Sequence, residues 1–176
     1  MDWLQSLKEN NFVNRIGVSI YDPSDLDSIP LDRLDIVQLP LSLYDQRFLK
    51  NGVIDYLGKQ GLDIHVRSIF LQGLILQNAE KWPKFLSSDF KSHHLRFYKE
   101  LKLLNINPLE ASLNFIKNCD GIEAALIGVT NSSELNAISK VWNSQNNNFI
   151  DAFKDGNYNL SWDHSNEIDP RTWPSK

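Results

Sequence analysis

The chain has 176 residues, of which 41% are hydrophobic and 23% charged, with a formal net charge of -4. That is enough apolar material for one ordinary domain with a core, and it argues against a disordered chain. A mild acidic excess with scattered Lys and Arg argues against nucleic acid or an anionic membrane as the main partner. Cys119 is the only cysteine, so no internal disulfide and no CxxC zinc site can form, and a reducing, cytoplasmic setting is the expectation. The first residues have no signal-peptide core, and no apolar run approaches the ~20 residues of a membrane span.

In chain order, Trp3, Leu4 and Leu7 lie on one stripe of a short helix, a last turn or two with nothing before it to pack on. Residues 15–20 read as a strand, closed by Asp22 to Asp25, with Pro23 or Ser24 starting a helix through Leu26. Residues 35–39 form a second strand, stopped by Pro40. Phe48, Val53, Ile54 and Leu57 mark an amphipathic helix ending near Gly61. Residues 62–67 are a third strand, which breaks at Ser68 into a long loop holding Gly73, Trp82 and Pro83. A helix follows over about 92–104, and Pro108 suits the first turn of another through Ile116. Residues 123–127 are a fourth strand, ended by Gly128. Asn131 and Glu134 have the spacing of a variant capping box for a final helix carrying Leu135, Ile138 and Trp142. Asn143 to Asn148 read as a loop, and a tail runs over 149–176.

Four strands each followed by a helix imply a parallel sheet with right-handed crossovers. Four are too few for a closed eight-stranded barrel of ~250 residues, which leaves a small open sheet or half a barrel. Side-chain parity favours the half-barrel. Ile16 and Val18, Val37 and Leu39, Ile64 and Val66 make one face apolar and suited to outer helices. Ser19, Gln38, His65 and Arg67 share the other face, with polar groups gathered toward its C-terminal end, where such folds place their sites. A doubly wound sheet would more often be apolar on both faces, and no GxGxxG or GxxxxGK turn is present.

Individual residues also have simpler roles. His65 reads as an interior histidine with its hydrogen bonds satisfied. His93 and His94 read as an exposed pair on a helix, since adjacent residues do not face each other. Asp22 and Asp25 read as turn and cap residues, Ser19 and Gln38 could hydrogen-bond between strands, and Arg67 could be a rim Arg paired with a carboxylate.

Taken together, Arg15 to Ser19, Val37-Gln38, Ser68 through Gly73-Leu74 and Gly128 through Leu135 resemble the second half of an aldo-keto reductase, strands five to eight of its (β/α)8 barrel. Ile168 to Trp173 resembles the end of many members. The resemblance implies one α/β half-barrel unit over 1–176, and a parent activity of carbonyl oxidoreduction with NADPH, or NADH, and no metal. It implies that Ser19 and Gln38 hold the nicotinamide carboxamide. Arg67 stands where the family has a tyrosine that stacks on the nicotinamide, and a guanidinium plane can stack as well. Ser68 and Gly73 fall in the loop that wraps the pyrophosphate. Gly128, Thr130, Asn131 and Ser132 fall in the segment that binds the adenosine phosphate, at a helix N-terminus. Ile20, Ile69 and Leu71 depart from the family pattern, and no Lys or Arg occurs from 128 to 139, where users of NADPH often place a phosphate clamp. The family's catalytic Asp, Tyr, Lys and His belong to the other half, and Tyr21, Tyr44, Lys50 and His65 do not match their motifs. The implied partners are the cofactor and a complementary half-barrel chain or a second copy. The alternative is a non-catalytic half-barrel that binds or assembles, pairing through an apolar sheet edge.

Overall fold

The computed structural model describes residues 1–144 and 160–174. Four strands, β1 (Gly17–Ser19), β2 (Ile36–Pro40), β3 (Asp63–Arg67) and β4 (Ala124–Ala125), pair in parallel in the order β1-β2-β3-β4. Sequential order decides between the two architectures left open by the strand count. Right-handed crossovers between consecutive neighbours put the crossover helices on one side of the sheet, as in a barrel wall. A doubly wound sheet reverses its order and covers both sides.

The apolar side is the one expected. Val37, Leu39, Ile64 and Val66 are fully buried, in one cluster with Ile54, Leu57 and Ile116 from the overlying helices. Those helices are α3 (Val53–Lys59) and α5 (Pro108–Lys117). The single helix expected over Phe48–Leu57 is two pieces, α2 (Arg47–Lys50) and α3. Gly52 separates them at φ +68, a left-handed conformation that only glycine adopts without strain. Gly61, at φ +80, closes α3 as expected. The first helix, α1 (Asp2–Glu9), is longer than the one or two turns expected and does find a surface. Leu4 packs on the sheet's cluster, and Lys8 reaches the Asp35 carboxylate at 2.6 Å.

A second cluster sits beyond the C-terminal ends of the strands. Tyr44, Phe90 and Phe97 are fully buried there with Trp82, Leu101 and Leu160. Its main support is α4 (Ser88–Leu103), which starts earlier than the 92–104 reading because Ser87 caps it, its side chain accepting from the Phe90 N–H. This overturns the exposed placement of His93 and His94, since both are buried. His94 lies between Trp82 and Tyr98, accepts from Tyr44 Oη at Nδ1, and donates from Nε2 to the Gln77 carbonyl at 2.7 Å. His93 Nε2 bonds the Leu160 carbonyl at 2.9 Å. The long loop after β3 contains two short turns of 3-10 helix, Leu74–Leu76 and Ala79–Lys81. Strand β4 covers only part of the 123–127 run, though the Leu126 N–H still donates to Val66 O. The last long helix, α6 (Ser132–Trp142), packs on α5 with Leu135 and Trp142 left exposed. The expected loop at 145–148 and the stretch 149–159 of the tail lie outside the described residues.

Candidate functional site

The face of the sheet that no described helix covers is layered by charge. At its N-terminal end Arg15 bonds Asp63 and Glu123, and Glu123 also bonds His65 Nε2 at 3.0 Å. One layer up, Ser19 Oγ donates to Gln38 Oε1 at 3.2 Å. At the top Arg67 donates to Ser19 Oγ at 3.4 Å, to Ser68 Oγ at 3.4 Å and to the Ile20 carbonyl at 3.0 Å. Ser19, Gln38 and Arg67 therefore do come together, through register: Ser19 pairs with Gln38 in β1–β2, and Pro40 with Arg67 in β2–β3.

Arg67 pairs with no carboxylate among the described residues, unlike its neighbours. Arg47 is held by Asp45 and Asp22, and Arg171 by Asp169. The Arg171 fork holds the Asp169 carboxyl below the usual carboxylate range. Tyr21 was not singled out as a site residue, yet its ring is stacked between two guanidinium groups, Arg67 at 4.0 Å and Arg171 at 3.9 Å from the ring centroid. No local signal in the sequence joins these three residues. The tail segment that resembles the family's end is what brings Arg171 across the mouth.

Beside this mouth lies a cleft of about 910 Å³ between the C-terminal ends of β3 and β4 and the start of α5. Arg67, Ser68, Gly73, Gly128 and Thr130 all line it, so five of the nine residues expected to hold a cofactor share one concavity. Ser19 and Gln38 lie outside it on the open face, joined to it by Arg67. Asn131 and Ser132 do not line it. Asn131 is spent as the N-cap of α6, accepting from the Glu134 N–H at 3.0 Å, and Ser132 opens the helix on the surface.

The loop bordering the cleft is strained. Ser68, Leu71 and Gln72 have φ of 61, 46 and 55, followed by Gly73 at 84. Left-handed backbone is unfavourable for residues with a Cβ, and such strain gathers at ligand sites. Burial of Leu71 anchors the loop from below. Three groups of the aromatic cluster hold its following carbonyls: Trp82 Nε1 on Leu74 O at 2.9 Å, Tyr98 Oη on Ile75 O at 3.2 Å, and His94 Nε2 on Gln77 O. At Gly128 an added Cβ would meet nothing within 4 Å, so the cleft wall there is bare backbone.

A nicotinamide dinucleotide would find a match along part of this surface. A guanidinium with no carboxylate partner among the described residues, beside a backbone loop, suits a pyrophosphate, and an amide beside a hydroxyl suits a carboxamide. The start of α6 does not suit a phosphate. Glu134 already accepts from Thr130 N–H at 2.8 Å and from Thr130 Oγ1 at 3.0 Å. Among the described residues no three His, Cys, Asp or Glu side chains are grouped to hold a metal, and no helix is long and apolar enough to cross a membrane.

No protein-family model and no curated protein matches the sequence. Solved structures do match. The holo form of aldo-keto reductase AKR11C1 from Bacillus halodurans superimposes with a TM-score of 0.62 at 18% identity, over 82% of this chain and 49% of that one. Its apo form gives 0.63 at 18% identity, over 87% and 54%. The glycerol dehydrogenase AKR11B4 from Gluconobacter oxydans gives 0.51 at 17% identity, over 78% and 51%. The chain thus spans about half the length of the structures it matches, and its fold is that of a partial α/β barrel of the aldo-keto reductase kind.

Proposed function

We propose that this chain is the cofactor-holding, C-terminal half of an aldo-keto reductase-like carbonyl oxidoreductase, with the catalytic groups supplied by the other half of the barrel. One observation carries the reading: Arg67, Ser68 and Gly73 from the segment after β3, and Gly128 and Thr130 from the segment after β4, line one cleft at the C-terminal ends of these strands, which is where barrel enzymes bind phosphates and cofactors. A nicotinamide cofactor bound here would supply hydride to a carbonyl carbon. Arg67 would bind the pyrophosphate and orient the ring end, with Tyr21 and Ser19 fixing the guanidinium. Ser19 and Gln38 would orient the carboxamide from the open face. The loop 68–73 would exclude water along one side. The proton donor would come from the complementary half, in the same longer protein or in another chain.

Calorimetric titration of NADH and NADPH into the purified chain tests this. Saturable binding of either, weakened about tenfold or more by Arg67→Ala, is the expected result. A folded chain that binds neither would sink the reading.

A second reading, a non-catalytic half-barrel that pairs with a copy of itself, is favoured by both ends of the sheet. Trp3 and Phe12, in the segment leading into β1, are 71% and 76% exposed, and Leu126, Val129 and Leu135, in the segment leading out of β4, are exposed as well. Apolar groups at both ends suit closure by four more strands. A stable dimer in light scattering, together with no cofactor binding, would decide for this reading.

A further inference from the structure

The α6 border of the cleft carries a carboxylate, that of Glu134. Thr130 and Glu134 both line the cleft. Glu134 takes up the Thr130 N–H and hydroxyl, while its own N–H is spent on Asn131 Oδ1. These bonds, led by that from the Thr130 backbone, hold the Glu134 carboxyl below the usual range, so it is charged at neutral pH. No Lys or Arg occurs from 128 to 139 to offset it. At the β3 border the balance is opposite, since Arg67 is a cation with no carboxylate on it among the described residues.

A ligand that fits both borders is anionic near Arg67 and offers hydroxyl donors, without a phosphate, near Glu134. We propose that Glu134 sets the cofactor choice of this cleft, accepting a hydroxyl of the adenosine ribose and rejecting the 2′-phosphate, so that NADH is preferred to NADPH. The proposal rests on the cofactor-holding reading above. A phosphate monoester carries about -1.5 to -2 charges at pH 7. Placed here it would face Glu134 and compete for a Thr130 N–H already in use. A ribose hydroxyl can donate to the same carboxylate oxygens, and a carboxylate facing the ribose 2′-hydroxyl is how dinucleotide sites of another fold recognise NAD.

The test is calorimetric titration of NADH and NADPH, separately, into the full chain and into Glu134→Gln and Glu134→Lys, each checked for fold by circular dichroism. The expected result is NADH tighter than NADPH by about tenfold or more in the unaltered chain. The ratio should narrow in the Gln variant and invert in the Lys variant. NADPH binding as well as NADH in the unaltered chain, or a ratio untouched by Glu134→Gln, overturns the role of Glu134 and leaves the cofactor reading standing. Binding of neither cofactor by the folded chain overturns both. If Glu134→Lys does not fold, the unaltered chain and the isosteric Gln variant still give the ratio.

Discussion

Ile64 and His65 are neighbours in β3, and they meet opposite surroundings. Ile64 is fully buried in the cluster beneath α3 and α5, while His65 faces the side of the sheet that no described helix covers and bonds Glu123. The same alternation runs through β2, where Val37 and Leu39 are buried and Gln38 is not. One face therefore carries the stability of the sheet, and the other carries groups able to meet something else. The contrast follows from strand order, because crossovers of one hand between consecutive parallel strands cover a single face. In a closed barrel the uncovered face becomes the interior.

The sharpest break of this contrast is Ile64→Ala. It removes three carbons from a packed site and should cost about 2–5 kcal/mol, read as a lower urea midpoint at unchanged slope. A cost well under that range would mean that the helix-covered face is loosely packed and that the asymmetry between faces is not energetic.

The next largest effect concerns the aromatic cluster, whose histidine contrasts with the one on the open face. Burial lowers the His94 pKa from its ordinary 6.5 to about 4. Between those values the unfolded chain binds a proton that the folded chain does not, so stability falls as pH drops from 6.5 toward 4. The loss is on the order of 3 kcal/mol at most. Above 6.5 His94 contributes no slope. Urea titrations from pH 7 to pH 4 should show the decline, and His94→Phe should flatten it whatever that variant's stability at pH 7. An unchanged slope in His94→Phe would assign the acid sensitivity elsewhere, beginning with His93, whose pKa burial also lowers.

His94 also shows where the sequence was legible and where it was not. The strands were readable because residues 62–67 alternate strictly and residues 35–39 form a short β-branched run stopped by Pro40. The caps at Asp22, Asp25 and Asn131 were readable because their chemistry is local. The burial of His93 and His94 was readable in principle. Phe90, His93, His94, Phe97 and Leu101 follow the 3–4 spacing of a buried stripe, but starting the helix at 92 cut Phe90 from the pattern. The cleft was legible only in part, through the residues flanking β3 and β4. The stack of Arg67, Tyr21 and Arg171 was not, since it joins segments about 150 residues apart. The Glu134 carboxylate was expected at a cap, but its grip on Thr130, one residue before the cap, depends on backbone direction that spacing does not specify.

Gly17 sharpens the contrast by being an exception to it. It shares the open face with Ser19, where side chains bear little on the fold, yet an added Cβ would stand 2.5 Å from the Ile36 carbonyl oxygen and 2.9 Å from Ile36 Cβ. Those atoms belong to the neighbouring strand and cannot simply rotate away. Gly17→Ala should cost about 1–3 kcal/mol through displacement of β1, seen as a lower thermal midpoint. Indifference to this change would show that β1 is free to shift, and that the Ser19–Gln38 register is not fixed by the sheet.

The smallest expected effect on stability is the most telling for function. Ser19 is exposed, its Oγ meets only Gln38 and Arg67 among the described residues, and it is the last residue of the first strand's pairing. Ser19→Ala should change stability by no more than about 0.5 kcal/mol. It should nevertheless weaken NADH binding, because it frees the Arg67 guanidinium from one of its supports and removes a hydroxyl from the carboxamide position. A residue that the fold does not need and the ligand does would mark the open face as the inside of a working site. A Ser19→Ala chain that is less stable but binds unchanged would reverse the assignment, making the polar layer a set of strand-to-strand ties and leaving the cleft beside it to hold the ligand alone.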